Sequence, residues 1–193
     1  MPVFERSDGG VRWSMEPWEL PLLRELRDDL RTLLVTDDAD DPAIRRFHPP
    51  TVRGDDAADA ELRGLIRDEL LAARLRGLDA LLDVLDRART SEERVRVELV
   101  DDEPFLVLGV LNDLRLAFGT AVGVGTFDPA DLAEDDPVLP TLALMDHLAF
   151  LQEALLAVVD PVSLTHYDDH APSSGDDDHA PSSGDDDHDG PDE

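Results

Sequence analysis

Alternating apolar residues occupy two short stretches of the chain and predict a small antiparallel sheet. The first stretch, 3–15, is interrupted at 7–10 by Ser-Asp-Gly-Gly, a composition typical of the turn of a β-hairpin. The second stretch, 94–99, alternates arginine or glutamate with an aliphatic residue. Because an isolated hairpin is only marginally stable, we expect the second stretch to add a third strand. The apolar members of these stretches include Val11, Trp13, Met15, Val95, Val97 and Leu99.

Helical periodicity dominates the rest of the chain. Apolar residues recur at steps of three and four over 18–34, 62–85, 105–122 and 138–159. Gly77 lies inside the second of these patterns, which therefore predicts either one kinked helix or two. The expected fold class is mainly α with a small antiparallel β-sheet (α+β): a bundle of about five helices, a three-stranded sheet and a disordered C-terminal tail.

Polar residues and prolines set the expected helix boundaries. The connection 37–59 is too long for an ordinary loop, so we expect a short helical turn at 43–47 within it. Asp101 or Asp102 is expected to cap the third long helix, and Asp136 to begin the last one together with the proline that follows it. An acidic linker joins these last two helices, and we expect them to pack antiparallel.

The C-terminal segment 165–193 differs from the rest of the chain in composition. It contains eleven Asp or Glu, no Lys or Arg, and almost no large apolar side chain, so it cannot bury enough surface to offset the entropy of ordering. We therefore expect a helical domain over 1–164 and a disordered acidic tail over 165–193. The tail repeats a nine-residue unit that contains Asp-His, but proline and serine occupy the positions where a calcium-binding β-helix needs core residues.

Acidic residues outnumber basic ones in the body of the chain as well as in the tail. The chain has 46 acidic and 17 basic residues, all of the latter Arg, and 35 of the acids precede residue 165. Such a field repels phosphate backbones and anionic membranes, so we expect neither direct nucleic-acid binding nor membrane association. The interval 63–96 holds eight arginines and seven acids. Pairing at helical spacing is expected for Arg63, Arg67 and Arg74 with neighbours such as Asp68 and Glu69.

Composition excludes several classes of chemistry. Cysteine is absent, which removes disulfides, thiol nucleophiles, thiolate metal ligands and thiol redox sensing. The sequence shows no convergent nucleophile and base and no phosphate-binding loop, so we expect neither an enzyme nor a cofactor. The N-terminus lacks a signal-peptide pattern, and the longest uncharged run, 116–127, is shorter than the roughly 18 residues of a membrane span. We therefore expect a cytoplasmic protein.

The motif Leu-Asn-Asp-Leu-Arg-Leu at 111–116 places polar groups inside an otherwise apolar helix. Buried amides and charges are costly unless they are paired. Partners are available on the last helix, where Asp146, Phe150 and Glu153 share one stripe, and we expect Arg115 to pair with Glu153 or Asp146. The predicted interhelical clasp comprises Asn112, Asp113, Arg115, Asp146, Gln152 and Glu153. The alternative is that these residues form a pocket for a small polar ligand or a partner's side chain.

Histidine and aspartate supply the remaining candidate chemistry. His147 follows Asp146, but a single helix histidine is usually a surface or capped residue, and we assign it no catalytic role. The Asp-Asp-Asp-His clusters of the tail suit loose chelation of divalent cations. Without a preformed cage such binding is weak, so we expect the tail to act as a solvating segment.

The chain resembles an actinobacterial family of unknown function, some of whose members are described as oxidative-stress-responsive transcriptional regulators and are often encoded beside the adaptor of the Clp protease. The resemblance covers about residues 2–160 and depends on the motif at 111–116, on Leu-Gln-Glu-Ala-Leu at 151–155, on Phe4 and on Gly-Gly-Val at 9–11. It implies a mostly helical cytoplasmic protein with a small sheet and no catalytic residues. The cysteine pair through which some members sense oxidants has no counterpart in this sequence.

Two classes of function are consistent with these residues. The first is a non-catalytic regulatory protein that binds a partner protein of the transcription or proteolysis machinery through complementary charge; the resemblance adds a link to oxidative stress. The alternative is a small-ligand or divalent-metal binding module that uses the Arg115 region or the acidic tail. The acidity is also consistent with adaptation to high salt, which a steep loss of stability in dilute buffer would reveal.

Overall fold

The computed structural model describes residues 3–49, 56–91 and 93–160, which form a mainly helical fold with one antiparallel sheet. The predicted tail, 165–193, lies outside the described residues. The helices are α1 (Glu19–Thr36), α2 (Pro42–Phe47), α3 (Asp56–Arg87), α4 (Glu103–Ala121) and α5 (Leu139–Val159). The strands are β1 (Phe4–Ser7), β2 (Gly10–Met15), β3 (Arg89–Ser91) and β4 (Arg94–Leu99), and a short 3-10 helix spans Pro129–Asp131. The predicted α+β fold class is confirmed.

The sheet is antiparallel throughout, with the strand order β1-β2-β4-β3. The hairpin β1–β2 pairs Ser7 with Gly10 across the turn, and β2 pairs with β4. The expected number of three strands is wrong, because β3 adds to the outer edge of β4, where Thr90 pairs with Val95. A strand of three residues is too short to show an alternating pattern, so the sequence did not indicate it.

One hydrophobic core joins the inner face of the sheet to the helices. Trp13 in β2 is fully buried and stacks on Phe4, with the ring centroids 5.2 Å apart. Since burying a large apolar side chain contributes about 1.5–3 kcal/mol, the alternating strand positions and the helical stripes together supply the main stabilisation of the fold. The helices contribute, among others, Leu23, Leu26, Leu30, Leu34, Leu78, Leu81, Val107, Leu111, Leu148 and Leu151.

Helix α3 is continuous through Gly77, so the alternative of two helices is wrong. A Cβ on Gly77 would lie 3.3 Å from Cγ2 of Val110 in α4, so glycine at this position lets the two helices approach closely. Glycine inside a helix costs only about 1 kcal/mol relative to alanine, which the packing of α3 against α4 outweighs. The short helical segment expected at 43–47 is present as α2.

Two helix starts differ in detail from the expectation. Asp102 occupies the N-cap position of α4 but makes no side-chain capping bond. Instead, Oε2 of Glu103 accepts a hydrogen bond from the backbone N–H of Val100 at 2.9 Å. Helix α5 begins at Leu139 rather than at Asp136, because the Asp136 carboxylate accepts from the backbone N–H two residues later and caps the preceding turn.

Helices α4 and α5 are long and apolar enough to cross a membrane, judged by length and composition alone. These two properties are weak evidence for a span, because core helices of soluble proteins share them. Helix α4 contacts α1, α2, α3 and α5. Helix α5 contacts α4 and β1. In the most apolar part of each helix, 28% of the residues of α4 and 17% of those of α5 are buried, so much of α5 is left uncovered.

Candidate functional site

Arg115 joins α4 to α5 through an amide rather than a carboxylate. Its Nη1 donates to Oε1 of Gln152 at 2.7 Å, and its Nε is buried with no hydrogen-bond partner. Gly119, one turn later in α4, faces Met145, an earlier residue of α5, so the two helices are antiparallel as predicted. Since an amide oxygen carries no net charge, the Gln152 contact leaves the charge of Arg115 uncompensated.

The two carboxylates that we expected to pair with Arg115 lie elsewhere. Asp146 and Glu153 are on the exposed side of α5, and Asn112 is exposed on α4. Gln152 precedes Glu153 by one position, which corresponds to a rotation of about 100° around the helix axis. The spacing therefore identified the correct pair of helices, but the residue of α5 that faces Arg115 is Gln152 and not Glu153.

Asp113, the remaining member of the predicted clasp, pairs with α3 instead of α5. Nε of Arg74 lies 3.4 Å from Oδ2 of Asp113, and the two side chains are 19% and 15% exposed. The contact is long for a hydrogen bond, and Nε of Arg74 has no aligned acceptor. The Arg74 guanidinium also lies 4.9 Å from the centroid of the Phe47 ring. Asp113 is thus a partly buried carboxylate held by one incomplete ion pair.

We expect Asp113 to reduce the stability of the fold as pH rises. Burial raises the pKa of Asp113 above its ordinary value of 3.8, and the nearby Arg74 only partly opposes this effect. The folded state therefore binds the proton more tightly than the unfolded state, so stability falls as pH increases from the unfolded pKa to the folded pKa.

Asp113→Asn tests this prediction because asparagine does not titrate. The free energy of unfolding of the variant minus that of the wild type should increase with pH above about 3.8 and then level off. Urea unfolding at several pH values from about 4 to 7 measures it. A difference that is constant or that decreases with pH would show that burial does not control this carboxyl group.

Two arginines of α3 form ion pairs with acids outside α3. Nη2 of Arg67 lies 2.6 Å from Oδ2 of Asp37, just after the end of α1, and Arg74 pairs with Asp113. In these contacts neither arginine uses the acids of α3 that helical spacing suggested. The side chain of Arg63 lies outside the described residues. Spacing along one helix does not reveal partners on another helix.

A buried arginine of α1 was not predicted from the sequence. The side chain of Arg27 is only 8% exposed. Its Nε donates to the carbonyl oxygen of Leu78 at 3.1 Å, and its Nη2 lies 2.9 Å from Oδ1 of Asp79. The signal was its position inside the apolar stripe of α1, where an arginine requires a buried partner.

An aromatic cluster with a buried carboxylate lies where the start of α1 meets α5. Nε2 of His147 lies 2.8 Å from Oε1 of Glu19, whose side chain is 6% exposed. The rings of Trp18 and Phe150 flank the imidazole, with centroids 5.1 and 6.4 Å away. Trp18 and Phe150 are nevertheless 54% and 50% exposed. His147 therefore has a structural partner, and the two aromatic rings present apolar surface to solvent.

The exposed side of α5 combines apolar and acidic side chains. The exposed residues of α5 follow one another at steps of three and four, which places them in one stripe. The sequence contains no Lys or Arg after Arg115, so no basic side chain of α5 offsets the acidic ones. We define the α5 stripe as Ala143, Asp146, Phe150, Glu153, Leu156 and Ala157, together with the adjoining Trp18, the N-cap residue of α1. It is an apolar surface in which carboxylates flank an exposed aromatic ring.

A second candidate site is a cavity of about 590 Å³ at the surface formed by α2, α4 and α5. Two members of the predicted clasp, Asn112 and Arg115, line it, and Arg46 of α2 contributes a second guanidinium. Its apolar wall includes Leu116, Val124 and Met145. The polar motif of α4 indicated a pocket at Asn112 and Arg115 as the alternative to a clasp, but the sequence did not indicate that Arg46 would line it.

Metal-binding side chains do not converge in the part of the chain that the structure describes. Within 3–49, 56–91 and 93–160, no group of three or more His, Asp or Glu is arranged to hold a metal ion. The Asp-His repeats of the tail lie outside these ranges, so the suggestion that the tail chelates cations stays a prediction.

Comparison with known proteins places this architecture in a family. A family model described as a domain of unknown function, DUF2017, matches residues 1–159. The chain belongs to this family. The DUF2017 match includes every helix and strand described above, and it confirms the resemblance that the motifs at 111–116 and 151–155 indicated.

The DUF2017 chain also has curated relatives in mycobacteria. Three are named oxidative stress regulator AosR, one from Mycobacterium bovis (strain ATCC BAA-935 / AF2122/97) and two from Mycobacterium tuberculosis (strains CDC 1551 / Oshkosh and ATCC 25618 / H37Rv). Each is 30% identical over 128 residues, which cover 62% of this chain and 58% of the relative. The alignment thus spans less than two thirds of those relatives. No solved structure shows a significant match to this chain.

Proposed function

We propose that this DUF2017 protein is a non-catalytic regulatory protein of an oxidative stress response, acting in the cytoplasm by binding a positively charged surface of a partner protein. The name of the mycobacterial relatives, oxidative stress regulator AosR, supports the regulatory part. The chain contains no cysteine, so an oxidant signal would reach it through a partner rather than through its own thiols. Components of the transcription or proteolysis machinery are the partners we propose.

The observation that carries the proposed mode of action is the exposed aromatic pair on the α5 stripe. Single exposed apolar residues are common on protein surfaces, but adjoining ones mark interaction sites. Phe150 and Trp18 flank the same imidazole and are each about half exposed. Aromatic residues of this kind are enriched among those that dominate binding energy at protein interfaces.

Charge favours a basic partner for the α5 stripe. Asp146 and Glu153 flank Phe150 at helical steps of four and three, so a partner with Lys or Arg around an apolar anchor is complementary to it. The formal net charge of the chain is −29. Like charge therefore disfavours a second copy of the chain and an anionic membrane as occupants of this surface.

Phe150→Ala should weaken binding of a basic amphipathic partner about tenfold or more, because truncating a central aromatic anchor costs roughly 2 kcal/mol. The probe is a synthetic helical peptide with lysines on one face and leucines on the other, and its counterpart carries glutamates in place of lysines. The fluorescence of Trp18 reports binding directly, because Trp18 is exposed whereas the only other tryptophan of the sequence, Trp13, is fully buried. A blue shift of Trp18 emission, saturable and weakened by salt, is expected with the lysine peptide.

Phe105→Ala is the matched control, since Phe105 is 62% exposed in the first turn of α4 and lies outside the α5 stripe. The control should bind the lysine peptide as the wild type does. Equal loss of affinity in both variants, or equal binding of the lysine and glutamate peptides, would mean that net charge alone attracts the probe and that the α5 stripe is not a docking surface.

The wild type, Phe150→Ala and Phe105→Ala can also be used to identify the biological partner. Affinity capture from the native organism at low salt should enrich a basic protein with the wild type and with Phe105→Ala but not with Phe150→Ala, and high salt should release it. Repeating the capture without residues 165–193 assigns the interaction to the helical domain or to the tail. A protein captured equally by all three proteins does not use the α5 stripe and contradicts the proposal.

A further inference from the structure

The cavity formed by α2, α4 and α5 has a positive lining in a strongly acidic chain. Its described lining residues include two arginines, Arg46 and Arg115, and no Asp or Glu. The chain as a whole has 46 acids for 17 arginines, so the neighbour of an arginine is usually an acid. A lining with two guanidiniums and no described carboxylate departs from that expectation.

Neither guanidinium has a carboxylate partner among the described residues. Arg46 is exposed in the last turn of α2 and makes no ion pair or side-chain hydrogen bond within the described ranges. Arg115 donates Nη1 to the neutral amide of Gln152 and leaves Nε buried without a partner. Several other described arginines form ion pairs, as Arg12 does with Glu5 and Glu98. The cavity therefore retains two positive charges available to an anion.

The shape and wall of the cavity suit a small molecule. Its volume of about 590 Å³ lies within the roughly 300–1,000 Å³ of typical ligand sites. Leu116, Val124 and Met145 provide an apolar side, and the exposed amide of Asn112 adds hydrogen-bonding capacity. Gly119 and Gly123 place backbone without side chains at the wall, which keeps the cavity open.

We propose that this cavity binds a compact dianion, a phosphate monoester or a dicarboxylate, between Arg46 and Arg115. The inference goes beyond the proposed docking of a protein partner and does not depend on it, because Arg46 and Arg115 are not part of the α5 stripe. A polyanion such as DNA would meet the acid surplus of the whole body, whereas screening beyond about 10 Å shields a small dianion from most of it. The ligand thus makes the DUF2017 protein responsive to a small anionic metabolite.

NMR titration of the full chain tests the proposal with inorganic phosphate and with succinate, at constant ionic strength, and with glycerol as a neutral control. The backbone amides of Gly119 and Gly123 should shift saturably with one or both dianions and not with glycerol. Arg46→Ala should raise the dissociation constant about tenfold or more, the loss expected for a charge-assisted hydrogen bond. Arg45→Ala is the matched control, because it removes the same charge from the neighbouring position of α2, where Arg45 donates to the carbonyl oxygen of Asp40. This variant should change the dissociation constant less than about twofold.

The outcomes of the titration distinguish the two ligand classes from each other and from results that would contradict the proposal. Saturation with phosphate alone assigns a phosphate monoester, and saturation with succinate alone assigns a dicarboxylate. Linear shifts without saturation, or equal losses in Arg45→Ala and Arg46→Ala, indicate general charge screening and overturn the site. If a DNA duplex displaced phosphate and shifted the same glycine amides, the cavity would be a nucleic-acid site, and the proposal of a small dianion would be wrong. Peptide binding to the α5 stripe is read from Trp18, so either proposal can fail while the other holds.

Discussion

Gly10→Ala is expected to destabilise the fold by about 3 kcal/mol or more, a large share of the 5–15 kcal/mol of a typical domain. Gly10 has φ of +147°, a conformation that side-chain-bearing residues rarely adopt. A Cβ at this position would also lie 2.1 Å from the carbonyl oxygen of Leu99. Since Leu99 pairs with the next residue of β2, relief of this clash requires β2 and β4, the central strands of the sheet, to move apart.

Gly9→Ala is the matched control in the same turn. No atom lies within 4 Å of a Cβ built at Gly9, and its φ is not positive. Alanine there should leave stability unchanged or raise it by up to about 1 kcal/mol, because it restricts the unfolded chain. Urea unfolding of both variants measures the difference. If Gly9→Ala costs as much as Gly10→Ala, turn flexibility rather than the approach of β2 to β4 explains the need for glycine.

Periodicity predicted the elements of the fold where a pattern had enough residues to repeat. The strands β2 and β4 and the long helices each have several turns or alternations of apolar side chains, and burial of those side chains dominates their stability. Features set by single contacts escaped prediction. Strand β3 has only three residues, and continuity of α3 through Gly77 depends on Val110, a residue of another helix.

The candidate sites show the same division between what one helix determines and what the fold determines. The polar motif in α4 indicated that Arg115 needs a partner on α5, and the structure provides one. It could not indicate that Gln152 rather than Glu153 turns inward, since this depends on the rotation of α5 about its axis. The contact of His147 with Glu19, and the presence of Arg46 and Arg115 in the lining of one cavity, join residues far apart in sequence, and no local pattern encodes them.

Arg27→Ala is expected to destabilise the fold by about 2–4 kcal/mol, because it removes a buried guanidinium and leaves a void. Nε and Nη2 of Arg27 tie α1 to α3 through the carbonyl oxygen of Leu78 and through Asp79, and Nη1 lies 2.8 Å from Oδ1 of Asp28. Charge-assisted hydrogen bonds of this kind contribute roughly 1.5–3 kcal/mol each when water is excluded. The aliphatic stem adds packing that alanine does not replace.

Arg31→Ala separates the effect of burial from the effect of the ion pair. Both arginines lie 2.9 Å from Oδ1 of Asp79, but the Arg31 side chain is 40% exposed whereas that of Arg27 is 8% exposed. An exposed pair contributes between about 0 and 1 kcal/mol, so Arg31→Ala should have a small effect. Arg27→Met keeps an apolar stem of similar reach and should recover part of the stability lost in Arg27→Ala. If chemical denaturation gives equal losses for Arg27→Ala and Arg31→Ala, attraction to Asp79 rather than the desolvated contact with Leu78 holds α1 against α3.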